Sequence, residues 1–149
     1  MVWKPRLTVA ALIEQQGRFL LVEETIEGRP TLNQPAGHVE DGESIIAAVI
    51  RETLEETAWE FRPQALVGLY RWVHPQGDTF LRAAFSGEAV HHDSDRALDP
   101  DIDRVCWMDL AELEQAGAED RFRSPLVMRC LRDYLAGHRY PLELLQDVV

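Results

Sequence analysis

Three glutamates, Glu52, Glu55 and Glu56, recur at spacings of three and four residues, so a helix that carries them turns all three to one side. On a wheel of about 100° per residue they share an arc with Ala48, beside an apolar arc of Ile46, Val49, Ile50, Thr53 and Thr57. Each like-charged neighbour on a helix costs about 0.2–0.5 kcal/mol, so something must compensate them. Water around a solvated acidic face is one answer. A hard cation is the other, because clustered oxygen donors next to Gly-rich backbone are what Mg²⁺ or Ca²⁺ binds. The wheel alone leaves both open.

The elements around this cluster follow from pattern and punctuation. Arg6 to Glu14 and Arg18 to Thr25 read as two strands joined by the turn Gln15-Gln16-Gly17. Ile26 to Gly37 holds Gly28, Pro30, Pro35 and Gly37 and is expected to be a shaped loop. After the turn Asp41-Gly42, Glu43 to Thr57 runs free of Gly and Pro as the carboxylate helix. Leu66 to Val73 and Thr79 to Ser86 form a second hairpin around His74-Pro75-Gln76-Gly77-Asp78, and Arg104 to Met108 is a short apolar strand. Asp109-Leu110-Ala111-Glu112 has capping-box form and opens a brief helix ending near Gly117. Ser124, Pro125 and Gly137 bracket a last helix over Leu126 to Ala136. Strands, helix, strands and then helices predict an α+β fold, an α/β/α sandwich with a mixed β-sheet between helices.

Composition limits the partners. The 149 residues suit one domain spanning 1–149, and 46% hydrophobic with 28% charged residues is an ordinary globular balance. Fifteen Lys plus Arg against 26 Asp plus Glu give a net charge of −11, which repels nucleic acid polymers and anionic membranes. An anionic substrate therefore needs local Arg or bound metal. Cys106 and Cys130 form no C-x-x-C pair and read as reduced, packed thiols, and Leu7 to Ile13 is too short to span a membrane. A cytoplasmic location is expected.

Gly37, Glu43, Arg51, Glu52, Glu55 and Glu56 stand in the register G-x5-E-x7-R-E-U-x-E-E-x-G-U, with U a bulky apolar residue. This resembles the signature of the Nudix hydrolases. Thr53, Ala58 and Trp59 depart from it. Thr53 lies on the core arc and needs a partner for its hydroxyl. Ala58 replaces the closing Gly and would be strained at positive φ. The segments Trp3-Lys4-Pro5, Val22-Glu23-Glu24-Thr25, Asn33-Gln34-Pro35-Ala36-Gly37-His38, Arg123-Ser124-Pro125-Leu126-Val127 and Arg139-Tyr140-Pro141-Leu142-Glu143 extend the likeness to a phosphatase branch of the family.

The resemblance implies a Nudix sandwich and Mg²⁺-dependent hydrolysis, with Mn²⁺ as a substitute cation. The implied substrates are nucleoside tri- and diphosphates and thiamine or hydroxymethylpyrimidine pyrophosphate, cleaved to release orthophosphate. An alternative is the pyrophosphatase chemistry of ADP-ribose or dinucleoside polyphosphates, since the signature fixes the metal and not the leaving group. By the same resemblance Glu52, Glu55 and Glu56 hold metal, the Gly37 carbonyl adds a ligand, and Glu52 is alternatively the base for the attacking water. Arg51 and Glu43 pair to orient the glutamates.

Asp101 is the preferred further carboxylate, although Asp93, Asp95, Asp99, Asp101 and Asp103 read equally as a solvated acidic loop. An EF-hand is excluded, because position 6 is Leu98 or Arg104 and position 12 is Arg104 or Leu110. For the leaving group, Arg71, Trp72, His74 and Arg82, with Phe80, offer cationic and stacking contacts, and Tyr140 could close over the site. Arg71 points opposite to Trp72 and His74 along a strand, so only one of these sets can line a pocket. The expected partner is a small phosphoanhydride, bound by a monomer or a homodimer.

Overall fold

The computed structural model describes residues 1–149. Its strands are β1 (Arg6–Gln15), β2 (Arg18–Ile26), β3 (Arg29–Asn33), β4 (Ala36–His38), β5 (Trp59–Val73), β6 (Thr79–His92) and β7 (Arg104–Asp109). The helices are α1 (Ile45–Thr57), α2 (Leu110–Ala118) and α3 (Leu126–Leu135), followed by a 3₁₀ turn at Leu142–Leu144. The strands run in the order β3-β2-β1-β6-β5, with β4 paired to β1 and β7 paired to β2. The sheet is mixed, because β1 and β6 are parallel and the other pairs antiparallel. No helix is long and apolar enough to cross a membrane.

The first hairpin turns through Gln16 and Gly17, both at positive φ. Its strands pair only near that turn, at Glu14↔Phe19 and Gln15↔Arg18. Beyond it they diverge, β1 toward β4 and β6, β2 toward β3 and β7. The segment expected as a loop between Ile26 and Gly37 instead holds two short strands. Glu27 and Gly28, at positive φ, fold β3 back on β2, and Pro30 is accommodated because β3 is an edge strand. β5 and β6 are likewise longer than the apolar runs suggest, reaching Trp59 and His92.

Period-two alternation divides the core between the two faces of the sheet. Val9, Ala11, Ile13, Leu20, Ala83 and Phe85 pack with Ala48 and Val49 of α1. Leu12, Phe19, Leu21 and Ala84 pack with Leu113 of α2 and with Val127, Cys130 and Leu131 of α3. The layers are therefore helix, sheet, helix. β5 departs from strict register at three places, between Glu60 and Phe61, Pro63 and Ala65, and Leu66 and Gly68. Leu66 joins the α1 side, while Val67 and Tyr70, at odd separation, both join the α3 side.

Candidate active site

α1 starts where Ser44 accepts a hydrogen bond from Ala47 N, and it ends at Ala58, whose φ is 61°. Thr53 Oγ1 donates to Val49 O at 2.7 Å and Thr57 Oγ1 to Thr53 O at 2.6 Å, so the two hydroxyls of the apolar arc are satisfied within the helix. The buried residues of α1 are Ala48, Val49, Thr53, Glu56 and Thr57. One carboxylate has therefore been carried into the interior with the core arc.

The three glutamates meet different environments. Glu56, 8% exposed, accepts a hydrogen bond from Ala36 N at 2.8 Å. Burial pushes its carboxyl up to about 8, and Glu52, Glu24 and Asp99 push in the same direction. Glu52 is also raised, chiefly by burial, with Arg51 opposing. Glu55 is the most exposed of the three.

Arg51 braces them with a fork. Its Nε and Nη2 hold Glu43 at 2.7 and 2.8 Å, its Nη1 reaches Glu52 at 2.9 Å and Glu55 at 3.2 Å, and Nη2 also donates to His38 O at 3.0 Å. The hydrogen bonds from Arg51 hold the Glu43 carboxyl below its ordinary range.

These residues suit a hard divalent cation. All the side-chain donors are carboxylate oxygens, the set that Mg²⁺ or Mn²⁺ prefers. A Cβ at residue 37 would overlap the Glu52 carboxyl, so Gly37 leaves that group lying against the main chain. No three of the acidic groups yet converge on one point. One oxygen each of Glu52 and Glu55 is engaged by Arg51, which leaves the other oxygen of each free to ligate.

A cavity of about 380 Å³ opens beside Gly37. Its lining includes the carboxylates Glu24, Glu52, Glu56 and Asp101, and with them Trp72, His74, Phe80, Arg82 and Arg123. Trp72 stacks on Phe80 at 5.6 Å between centroids and meets His74 edge-on at 5.3 Å. Of the residues singled out in the sequence, Gly37, Glu52, Glu56, Asp101, Trp72, His74 and Arg82 line this one space, with Arg51, Glu43 and Glu55 joined to it through the fork.

Arg71 and Tyr140 do not line it. Arg71 is exposed on the reverse face of β5, as strand alternation requires, and Tyr140 is tied to β5 by paired backbone bonds with Leu66 at 2.7 and 2.9 Å. His38 contributes its carbonyl to Arg51, and its ring lies toward Phe80.

Sequence reasoning missed Glu24, Asn33, Gln34 and Arg123. Glu24 had a signal, since it continues the alternate row of Leu20 and Val22, both buried, and an acid in such a row must meet something. Asn33 and Gln34 carried no local signal beyond the segment of family likeness, because an amide's burial is decided by elements distant in sequence.

The NUDIX domain family model matches residues 4–130. Phosphatase NudJ of Escherichia coli K12 is 40% identical over 146 residues, 98% of this chain and 94% of that protein. A solved NUDIX hydrolase from Nitrosomonas europaea is 51% identical with a TM-score of 0.93, covering 97% of this chain and 98% of that one. The MutT NUDIX hydrolase of Burkholderia pseudomallei, at 22% identity, 88% of this chain and 98% of that one, shares the fold with a TM-score of 0.73. A buried and braced carboxylate helix, in a chain so matched from end to end, makes this protein a member of the Nudix hydrolase family, a hydrolase of phosphoanhydride bonds.

Proposed function

We propose that this chain, a single domain, is a Mg²⁺-dependent phosphohydrolase that releases orthophosphate from nucleoside tri- and diphosphates and from thiamine or hydroxymethylpyrimidine pyrophosphate, with Mn²⁺ able to replace Mg²⁺. The observation that carries the reading is that one cavity is lined by both a set of carboxylates and a set of arginine and aromatic side chains. Such a space can meet both the reacting phosphate and the group that leaves it. Its volume suits a small molecule, and the relative named a phosphatase matches almost the full chain.

Glu52, Glu55 and Glu56 would hold the cation, with the Gly37 carbonyl and Asp101 as further oxygen donors, and the cation would neutralise charge on the phosphoryl oxygens. Arg51, fixed by Glu43, sets the rotamers of Glu52 and Glu55. Alternatively, Glu52 would use its one free oxygen to accept the proton of the attacking water instead of ligating. Trp72 and His74 bear on the leaving group, and Arg82 bears on its charge. Arg71 and Tyr140 take no part. The reaction belongs to the cytoplasm, and a monomer or homodimer would serve it.

A second reading rests on a second space. A groove of about 620 Å³ adjoins the cavity and shares Trp72, His74, Arg123 and Ser124 with it. It has room for the distal half of ADP-ribose or of a dinucleoside polyphosphate. A Mg²⁺-dependent substrate screen that resolves orthophosphate, pyrophosphate and nucleotide products decides between them. Orthophosphate from terminal diphosphates supports the first reading, and preferential cleavage of ADP-ribose or dinucleoside polyphosphates replaces it with the second.

A further inference from the structure

Arg82 is 5% exposed and yet makes no ion pair. Its Nη1 donates to Gln34 Oε1 at 3.1 Å and its Nη2 to Asn33 Oδ1 at 3.2 Å, while Nε is shut off from solvent with no acceptor at all. Of the five N–H groups a guanidinium carries, only two find oxygen, and both oxygens are neutral. Leaving a buried charge without a counter-charge is costly, and an apolar side chain of similar volume is often no worse for stability. Packing alone therefore gives no reason for an arginine here.

The two amides are themselves arranged. Gln34, 4% exposed, donates through Nε2 to Val127 O at 2.8 Å, which fixes its carbonyl end on Arg82. The nearest formal charges do not take Arg82 up. Glu56 attracts it through space without touching it, and the Cys130 thiol beside it is kept neutral by burial. What remains is a fixed cation that lines the same cavity as Glu24, Glu52 and Glu56 without being paired to any of them.

We infer that Arg82 is a receptor for a phosphoryl oxygen of the substrate, one that works without metal, and that Gln34 and Asn33 are positioning residues that hold it uncompensated until the substrate enters. The inference rests on the phosphoanhydride reading and adds to it which group, besides the carboxylate-held cation, meets the phosphate. An amide presents a dipole without a charge, so it can aim the guanidinium and leave the positive charge for the ligand. A carboxylate in the same place would consume it.

The test is NMR of the full-length protein, following the Arg82 Nε–H resonance during titration with inorganic pyrophosphate, with and without Mg²⁺. The resonance should move and saturate. In Asn33→Asp, which puts a carboxylate where the amide now accepts, the melting temperature should hold or rise. Pyrophosphate affinity should drop about tenfold, and KM should rise by a similar factor with kcat little changed. In an Arg82→Met background the Asn33→Asp effect should vanish.

An Arg82 resonance that stays still while the Trp72 indole shifts, or one that stays still with no shift anywhere, overturns the proposal. So does an Asn33→Asp effect that persists in Arg82→Met, since that would be simple repulsion by the new charge. Pyrophosphate tests the receptor whatever the leaving group, so a screen favouring ADP-ribose would change the substrate reading and leave this result standing.

Discussion

The two sets of side chains that line the cavity are held in opposite ways. The carboxylate side is braced largely by charge, since one arginine grips Glu43, Glu52 and Glu55 within 3.2 Å, while the Ala36 N–H holds the buried Glu56. The recognition side is braced by neutral groups, with amides on Arg82 and aromatic rings on one another. Close ion pairs fix side chains whose charge is to be shared with a cation. Neutral partners fix a side chain whose charge is to be kept for an anion. On the proposed reading, the same residue type, arginine, is a strut at position 51 and a substrate contact at position 82.

Removing the deepest carboxylate tests the first half of that contrast most severely. Glu56→Gln should lower kcat on the order of 10² or more with the fold intact, read by steady-state turnover beside circular dichroism. Unchanged turnover would take Glu56 out of the chemistry. Arg51→Lys keeps the charge but loses the fork, so Mg²⁺ affinity should weaken by roughly 10–100-fold. If a metal titration shows equal affinity, the brace is charge alone and geometry is irrelevant.

Burial of Glu56 also has a proton signature in metal-free buffer. Its folded value near 8 lies above the ordinary 4.5, so between these pH values the folded state binds more protons than the unfolded one. Its contribution to stability is therefore complete below pH 4.5 and lost as pH rises toward 8. The melting temperature should fall by on the order of 5–10 °C between pH 5 and pH 8, and Glu56→Gln should flatten that slope.

On the recognition side, Trp72→Leu keeps apolar bulk and removes the stack. It should raise KM roughly fivefold, about 1 kcal/mol, with kcat nearly constant. A matching fall in kcat would instead tie the indole to the transition state. The smallest effect belongs to a position outside both sets. Ala58 holds φ at 61°, and Ala58→Gly should raise the melting temperature by about 2–4 °C without altering turnover. A decrease would mean that the Ala58 methyl, buried in this fold, contributes more packing than its backbone costs.

The contrast also explains what the sequence disclosed. The carboxylate side was legible because α1 compresses it into local spacing, where Arg51, Glu52, Glu55 and Glu56 follow helical arithmetic. The capping box at Asp109 and the turn at Gln16-Gly17 were legible for the same local reason. The recognition side depends on contacts at long range. Gln34 meets Val127 across 93 positions and Arg82 across 48, and no window of sequence contains such a meeting. β3 was hidden differently, since Pro30 argues against a strand until the strand is known to lie at an edge.

The bulge at Val67 bears on how such a protein could change over generations. Beyond it, strict alternation down β5 gives Trp72 and His74 to the cavity and leaves Arg71 and Val73 outside. A single extra codon between Tyr70 and Arg71 would reverse that assignment, exchanging an aromatic lining for a guanidinium and an aliphatic one while α1 stayed as it is. A gene duplicate could thus trade ligands through a change of length, in one mutational step, and inherit its hydrolytic machinery unaltered.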